Sequence, residues 1–202
     1  MQVKARTFTN EARRAHIIEH AIATIAELGA AGASFVQIAK RAGLSSTRLI
    51  SYHFAGRDEL MDEVARRVLA EFTAFVLPRV DAQSTAAGQL RAFLESNVDF
   101  MREHRTYLLA LADILGNARR AGGGGAATLA SNIAESDLTA MEELLRQGQR
   151  DGEFRRFDTR VMAVAVMALR NAVISQLAAD PELDLEPYRR ELVALVERAT
   201  QK

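Results

Sequence analysis

The 202-residue chain has no cysteine, no tryptophan and only three prolines. Without cysteine there is no disulfide scaffold, no cysteine nucleophile and no cysteine-ligated zinc or iron–sulfur centre. The shortage of proline removes the strongest helix breaker. No stretch of about 18 apolar residues is read in the sequence, so no membrane span is expected. The basic opening segment is not followed by the apolar stretch of a secretory signal, and the expected compartment is the cytoplasm. What the chain does have is 49% hydrophobic residues, enough to build a sizeable core. Good helix formers dominate, no strand-like alternation of any length is visible, and no repeat period emerges. These features predict an all-α protein.

A formal net charge of zero hides an asymmetry. Residues 1–56 carry seven basic side chains (Lys4, Arg6, Arg13, Arg14, Lys40, Arg41, Arg48) against three acids (Glu11, Glu19, Glu27), a balance of +4. The remaining residues carry 19 basic and 23 acidic side chains, a balance of −4. An anionic partner for the first part alone fits that division, although an imbalance this small also arises by chance.

Three short helices are predicted in the first part. Thr9 or Asn10 can cap the first, whose apolar stripe is Ile17, Ile18, Ala21, Ile22, Ile25 and Leu28, with Gly29 and Gly32 at its end. Ser34 opens the second, with Gln37 at capping-box spacing, and Gly43 stops it. Ser45 is the expected cap of a third helix, Ser46 to His53, with Leu44, Leu49, Ile50 and Phe54 on its buried side. Two short helices joined by Gly43–Leu44–Ser45 spell a helix-turn-helix. Long amphipathic segments follow at about 57–77, 86–104, 106–117, 127–148, 158–179 and 187–199, with Pro78 expected to end the first and Gly122–Gly125 to form a loop. The glycine run lacks the Lys–Ser/Thr of a phosphate-binding loop.

On the third helix, Thr47, Arg48, Ser51 and Tyr52 share one side. Hydroxyls, a guanidinium and a phenol are groups that read base edges and hold phosphates, though any solvated helix can carry a polar face. The stretch Ser34-Phe-Val-Gln-Ile-Ala-Lys-Arg-Ala-Gly-Leu-Ser45, then Tyr52-His53-Phe54, then Arg57-Asp-Glu-Leu60, resembles the DNA-binding domain of the TetR family of bacterial transcriptional regulators. The first helix and the layout of three short and about six long helices are similar as well, and Gly152-Glu-Phe154 is a weaker match. The region 46–51 is one residue longer than the family spacing, and Ser51 stands where tyrosine is common.

The resemblance implies an N-terminal three-helix helix-turn-helix domain, residues 1–56, and a C-terminal helical effector-binding and dimerisation domain of about six helices, residues 57–202. It implies a homodimeric regulator, most simply a repressor, bound to near-palindromic double-stranded operator DNA and released by a largely apolar small molecule. The DNA-contact candidates are Ser34, Lys40, Ser45, Ser46, Thr47, Arg48, Ser51, Tyr52, His53 and Arg57, with Arg6, Arg13 and Arg14 reaching the flanking backbone or minor groove. Phe93, Asn97, Phe100, Met101, Tyr107, Leu111, Met141, Leu145, Met167 and Asn171 are candidate pocket residues, although Met and Phe at helical spacing also build plain core. Val161, Val164, Ala165, Ala168, Leu169, Ala172, Val173, Leu192, Leu195 and Val196 are candidate dimer contacts, or else the subunit's own core. His16-Ile-Ile-Glu19-His20 has the form of an inverted zinc-protease motif, but no third ligand stands out. No catalytic set, metal site, cofactor or membrane partner is expected. The alternative is a ligand-binding helical protein without specific DNA binding.

Overall fold

The computed structural model describes the backbone of residues 2–120 and 122–202, with side chains from Asn10 onward. Among the described residues there are nine helices and no strand. They are α1 (Gln2–Gly32), α2 (Phe35–Arg41), α3 (Arg48–His53), α4 (Arg57–Asp81), α5 (Ala86–Glu103), α6 (Arg105–Arg120), α7 (Gly125–Arg150), α8 (Thr159–Ala179) and α9 (Glu186–Thr200). The chain forms two compact units. One contains residues 1–69 and 106–130, the other 70–105 and 131–202. These packing units differ in their bounds from segments 1–56 and 57–202. The first half of α4, α6 and the start of α7 complete the core that α1–α3 begin.

Several ends differ from the sequence reading. α1 starts at Gln2, so Thr9 and Asn10 lie inside the helix and not at its start. Gly29 breaks it with φ 73° and ψ 158°, a conformation open essentially to glycine. α3 begins at Arg48 rather than Ser46, and Ser45 is not its cap; the Ser46 hydroxyl accepts from Arg48 N at 3.1 Å. α4 runs through Pro78 to Asp81. The missing N–H leaves the Ala74 carbonyl without its helical donor, but both residues are exposed and water can serve it. Ser34 does cap α2, accepting from Gln37 N at 3.3 Å, and Asp158 caps α8, accepting from Val161 N at 2.9 Å.

In the first unit, Ile17, Ile22, Ile25, Ile38, Ile50, Phe54, Leu60, Val64, Val68, Ala110 and Ile114 close one apolar core. Glu19 is tied to Tyr107, whose hydroxyl donates at 2.5 Å, and to Arg67 at 3.2 Å. At the α1 break, Asp113 accepts from Ala30 N and Arg57 donates to Ala30 O, so the backbone N–H and C=O of one residue tie α1 to α6 and to α4.

In the second unit, Leu90, Leu94, Met141, Leu145, Phe154, Val166, Val193 and Val196 form the core. Gly152, at φ 77°, closes α7: Gly152 N bonds Gln149 O and Glu153 N bonds Gly148 O. The turn aims the Glu153 carboxylate at the open start of α5, where it accepts from Ala86 N at 3.2 Å and Ala87 N at 2.8 Å. The Gly152-Glu-Phe154 segment is therefore a structural joint. α8 is, by length and composition, apolar enough to cross a membrane, with mean hydropathy 1.6 over 18 residues. A run-length criterion misses it because Arg170–Asn171 interrupt the run.

Candidate nucleic-acid interface and cavity

The turn between α2 and α3 follows from three residues. Gly43 takes φ 63°, Gly43 N bonds Lys40 O at 3.3 Å, and Leu44 N bonds Ala39 O at 2.9 Å. This paired closure of α2 needs positive φ at that one position. It ends α2 and redirects the chain into α3, on which Ile50, with Phe54 just after it, enters the core, at 0% and 1% exposure. With that side of α3 buried, Arg48, Ser51 and Tyr52 lie outward; Tyr52 is 77% exposed, large for an aromatic side chain. Thr47 is half-buried beside them, and Ser45 and Ser46 are exposed on the approach.

The expected cations separate into two groups. Arg13, Lys40 and Arg48 are exposed and have no acidic partner among the described residues. Arg14 is committed elsewhere, contrary to its expected DNA role. It donates to His53 O at 2.6 Å, its guanidinium lies 4.4 Å from the Phe54 ring centroid, and it pairs with Glu59 at 3.5 Å and Glu63 at 3.2 Å. It clamps the C-terminal end of α3 to α1 and α4. The Arg57 guanidinium is likewise directed to Ala30 O, within its own fold. Arg6 lies outside the described side chains. Ser34 is exposed, but its oxygen is used as the α2 cap.

His53 is half-buried, edge-on to Tyr52 with centroids 5.2 Å apart. Burial first, then Arg13 and Arg14, hold its imidazole below the ordinary histidine range. Burial, His16 and Arg41 lower His20 in the same way, against a smaller opposing effect of Glu19. Both groups bind protons less readily folded than unfolded, so acidification favours the unfolded chain. The midpoint of thermal unfolding is therefore expected to fall as pH drops from 7.5 through 6.5 to 5.5. A His20→Gln/His53→Gln variant should show a shallower slope over that window, and a rise in the wild-type midpoint on acidification would contradict the assignment. His16 and His20 stack edge-on at 4.4 Å, and His16 Nε2 donates to Ala42 O at 3.1 Å. Among the described residues no group of three or more metal-binding side chains occurs.

The second unit contains a cavity of about 270 Å3 between α4, α5 and α7. Phe72, Thr73, Val76, Leu77, Val80 and Asp81 line it from α4, Gln89 and Phe93 from α5, and Asp137, Ala140, Met141 and Leu144 from α7. Of the expected pocket residues only Phe93 and Met141 line it. Leu145 and Met167 belong to the second core. Tyr107 and Leu111 pack in the first unit. Asn171 is exposed, because it falls on the outer side of α8. Phe100 and Met101 are fully buried, Phe100 stacking on His104 at 4.5 Å. Asn97 is 1% exposed and donates to Phe93 O at 2.8 Å, with no partner for its Oδ1 among the described residues. Of the α4 lining residues, only Val80 and Asp81 lie beyond Pro78, where the sequence reading ends the helix; Phe72, Thr73, Val76 and Leu77 fall inside the predicted helix and were not singled out.

On the α8 face, Val161, Val164, Ala165, Ala168 and Ala172 are exposed, with Val161 at 66%, and Leu195 is exposed on α9. Val173, Leu192 and Val196 are instead buried in the subunit itself, and Leu169 packs against its core.

Residues 17–64 match the model for bacterial regulatory proteins of the tetR family. The HTH-type transcriptional regulator BetI of Stenotrophomonas maltophilia is 38% identical over 88 residues, 43% of this chain and 44% of that protein. The chain thus matches less than half the length of this curated relative. A solved structure of a protein assigned as a transcriptional regulator from Saccharomonospora viridis, in complex with choline, superposes with TM-score 0.80 at 21% identity, over 95% of this chain and 98% of that one. AibR in complex with isovaleryl coenzyme A and operator DNA superposes with TM-score 0.73 at 20% identity, over 91% and 97%. At those identities the two structures show a common fold. Taken with the helix-turn-helix geometry, the match over residues 17–64 shows that the N-terminal segment of this chain is similar to the DNA-binding segment of the tetR family of bacterial regulatory proteins.

Proposed function

We propose that the chain is a sequence-specific, double-stranded-DNA-binding transcriptional regulator, a homodimeric repressor released from its operator by a small molecule. The observation that carries the reading is the outward face of α3: Arg48, Ser51 and Tyr52 exposed, with Lys40 and Arg13 unpaired beside it. That face has the composition a major-groove reader requires, and its opposite side is locked by Ile50 and Phe54. Residues 1–56 are the proposed reading head. The +4 balance there supplies attraction to phosphate, and the compartment is that of the bacterial chromosome, the cytoplasm.

The exposed α8 stripe supports a second copy as partner. Val161, the adjacent pair Val164 and Ala165, Ala168 and Ala172 follow one another at helical spacing along α8, and small side chains let two helices approach closely. A contiguous apolar face on a water-soluble domain marks an interaction surface. Two-fold pairing implies near-palindromic half-sites about 34–36 Å apart. The cavity supports an effector that favours one of two arrangements of the dimer, and α4, which contributes residues to both units, is the proposed link.

Selection of bound genomic fragments, followed by titration on the recovered operator, tests the proposal. Arg48→Ala is expected to cost about 1–3 kcal/mol on the operator and to relax preference at one base position, with unfolding midpoint unchanged. Equal affinity of the wild type for operator and random DNA would refute the reading and leave the ligand-binding alternative.

A further inference from the structure

The layer made by α8 and α9 carries charges of opposite sign at its two ends, and most of them lack a partner within the subunit. At one end α8 starts and α9 finishes; Arg155 N donates to Thr200 O there at 2.9 Å and brings the two helix ends together. Arg155, Arg156, Arg198 and Lys202 are exposed at this end and have no acidic partner among the described residues. Its acids are engaged. Glu153 and Asp158 accept from the N–H groups that open α5 and α8, and Asp151 accepts from Gln147. At the other end Asp180, Glu182 and Asp184 are exposed and have no cationic partner among the described residues. Arg105 lies beside them, its guanidinium given to Pro181 O and Leu183 O, and offsets one of the three charges. Glu186 pairs with Arg102 at 3.8 Å. Between the ends runs the exposed stripe from Val161 to Ala172. α8 has 21 residues, about 30 Å of helix. That is several times the screening length of about 8 Å at physiological salt, so each end acts only on what lies against it.

We propose that these charged ends fix how two copies of the chain pair: α8 lies antiparallel on its counterpart, and Arg155 and Arg156 of each copy face Asp180 and Glu182 of the partner subunit. The inference rests on the homodimer reading above and deepens it, naming the register and what selects the partner. A two-fold axis across α8 makes every contact twice. Arg156 stands 12 positions before Ala168 and Asp180 stands 12 positions after it, so an axis through Ala168 brings opposite charges level at both ends at once. The same register sets Val164, four positions before Ala168, against Ala172 of the partner subunit, and so keeps the apolar stripe covered. A parallel arrangement buries the same stripe but puts like charges together, and a slid one leaves them unmatched. The apolar face supplies attraction, while the ends supply orientation and choice of partner. A related helical chain without this end pattern is a poorer partner.

Fluorescence-detected sedimentation of the full chain, from nanomolar to micromolar loading, tests the register with two charge reversals at exposed positions. Arg155→Glu/Arg156→Glu and Asp180→Lys/Glu182→Lys should each raise the dimer dissociation constant about tenfold or more, because both symmetric ends then oppose like charges. An equimolar mixture of the two variants should pair with close to wild-type strength, since each reversed end meets its complement. Recovery in the mixture also reports that both variants are folded. If the Lys variant does not fold, the Glu variant decides alone, with circular dichroism as the control. The wild-type dimer should loosen as salt rises. Reversed variants that pair as tightly as the wild type, or a mixture no tighter than its components, overturn the register and leave the homodimer reading intact. A wild type that sediments as a monomer at micromolar loading overturns both.

Discussion

Phe54→Ala is expected to cost about 3–5 kcal/mol, a large share of the roughly 5–15 kcal/mol that holds a domain together. Phe54 is 1% exposed and is the largest side chain that the segment after α3 buries in the first core. Its ring is also the surface on which the Arg14 guanidinium lies. Truncation leaves a cavity and frees Arg14 from its stack, and the C-terminal end of α3 loses its support. Two readouts follow. The unfolding midpoint falls steeply, and amide protection at 48–53 is lost while that in α5 and α9 persists. Binding to every DNA sequence weakens together, unlike the position-specific effect of Arg48→Ala. Phe54→Leu, which keeps most of the volume, should retain much of both. An unaltered midpoint for Phe54→Ala would mean that α3 is not anchored through this residue.

Gly148→Val is expected to destabilise the second unit by about 1–3 kcal/mol or more, through crowding instead of a void. Even a single Cβ at Gly148 would stand 2.3 Å from Phe154 Cδ2, 2.4 Å from Phe154 Cε2 and 3.0 Å from the Ala86 Cβ. Phe154 cannot swing away freely. It is 3% exposed, and its amide bonds Gly148 O at 3.0 Å. Displacing it would also pull the Glu153 carboxylate from the start of α5. The measurement is again thermal unfolding, with Gly148→Ala as the smaller step in the same series. If the valine variant melted with the wild type, the close packing of α7 on the 152–154 joint would be refuted.

The helix-turn-helix was legible because its signals are local. A glycine free to take positive φ at 43, a serine cap at 34 and apolar spacing at 38, 50 and 54 fix their own neighbourhoods within one or two turns. α3 itself was read two residues too long, since the Ser46 hydroxyl accepts from Arg48 N and Leu49 N bonds Ser46 O in a turn, so that the regular helix starts only at Arg48. The cavity was not legible. The Val80 and Asp81 part of its α4 wall depends on a helix continuing through Pro78, which local rules forbid in a buried helix but allow where Ala74 and Pro78 face water, and Phe72, Thr73, Val76 and Leu77 carry no local sign that they face a cavity.

The amino-acid order alone thus specified an all-helical chain with a short, outward-reading α3 and an apolar α8, because helical period, caps and glycine conformation act between near neighbours. Which arginines stay free was decided by tertiary packing. Arg14 and Arg48 are both basic residues near an expected DNA face, yet only Arg14 meets Glu59, 45 positions away, and so becomes part of the scaffold. Ala30 and Asp113 meet across 83 positions. Such partners are set by how helices pack, and nothing in a residue's immediate sequence reports them.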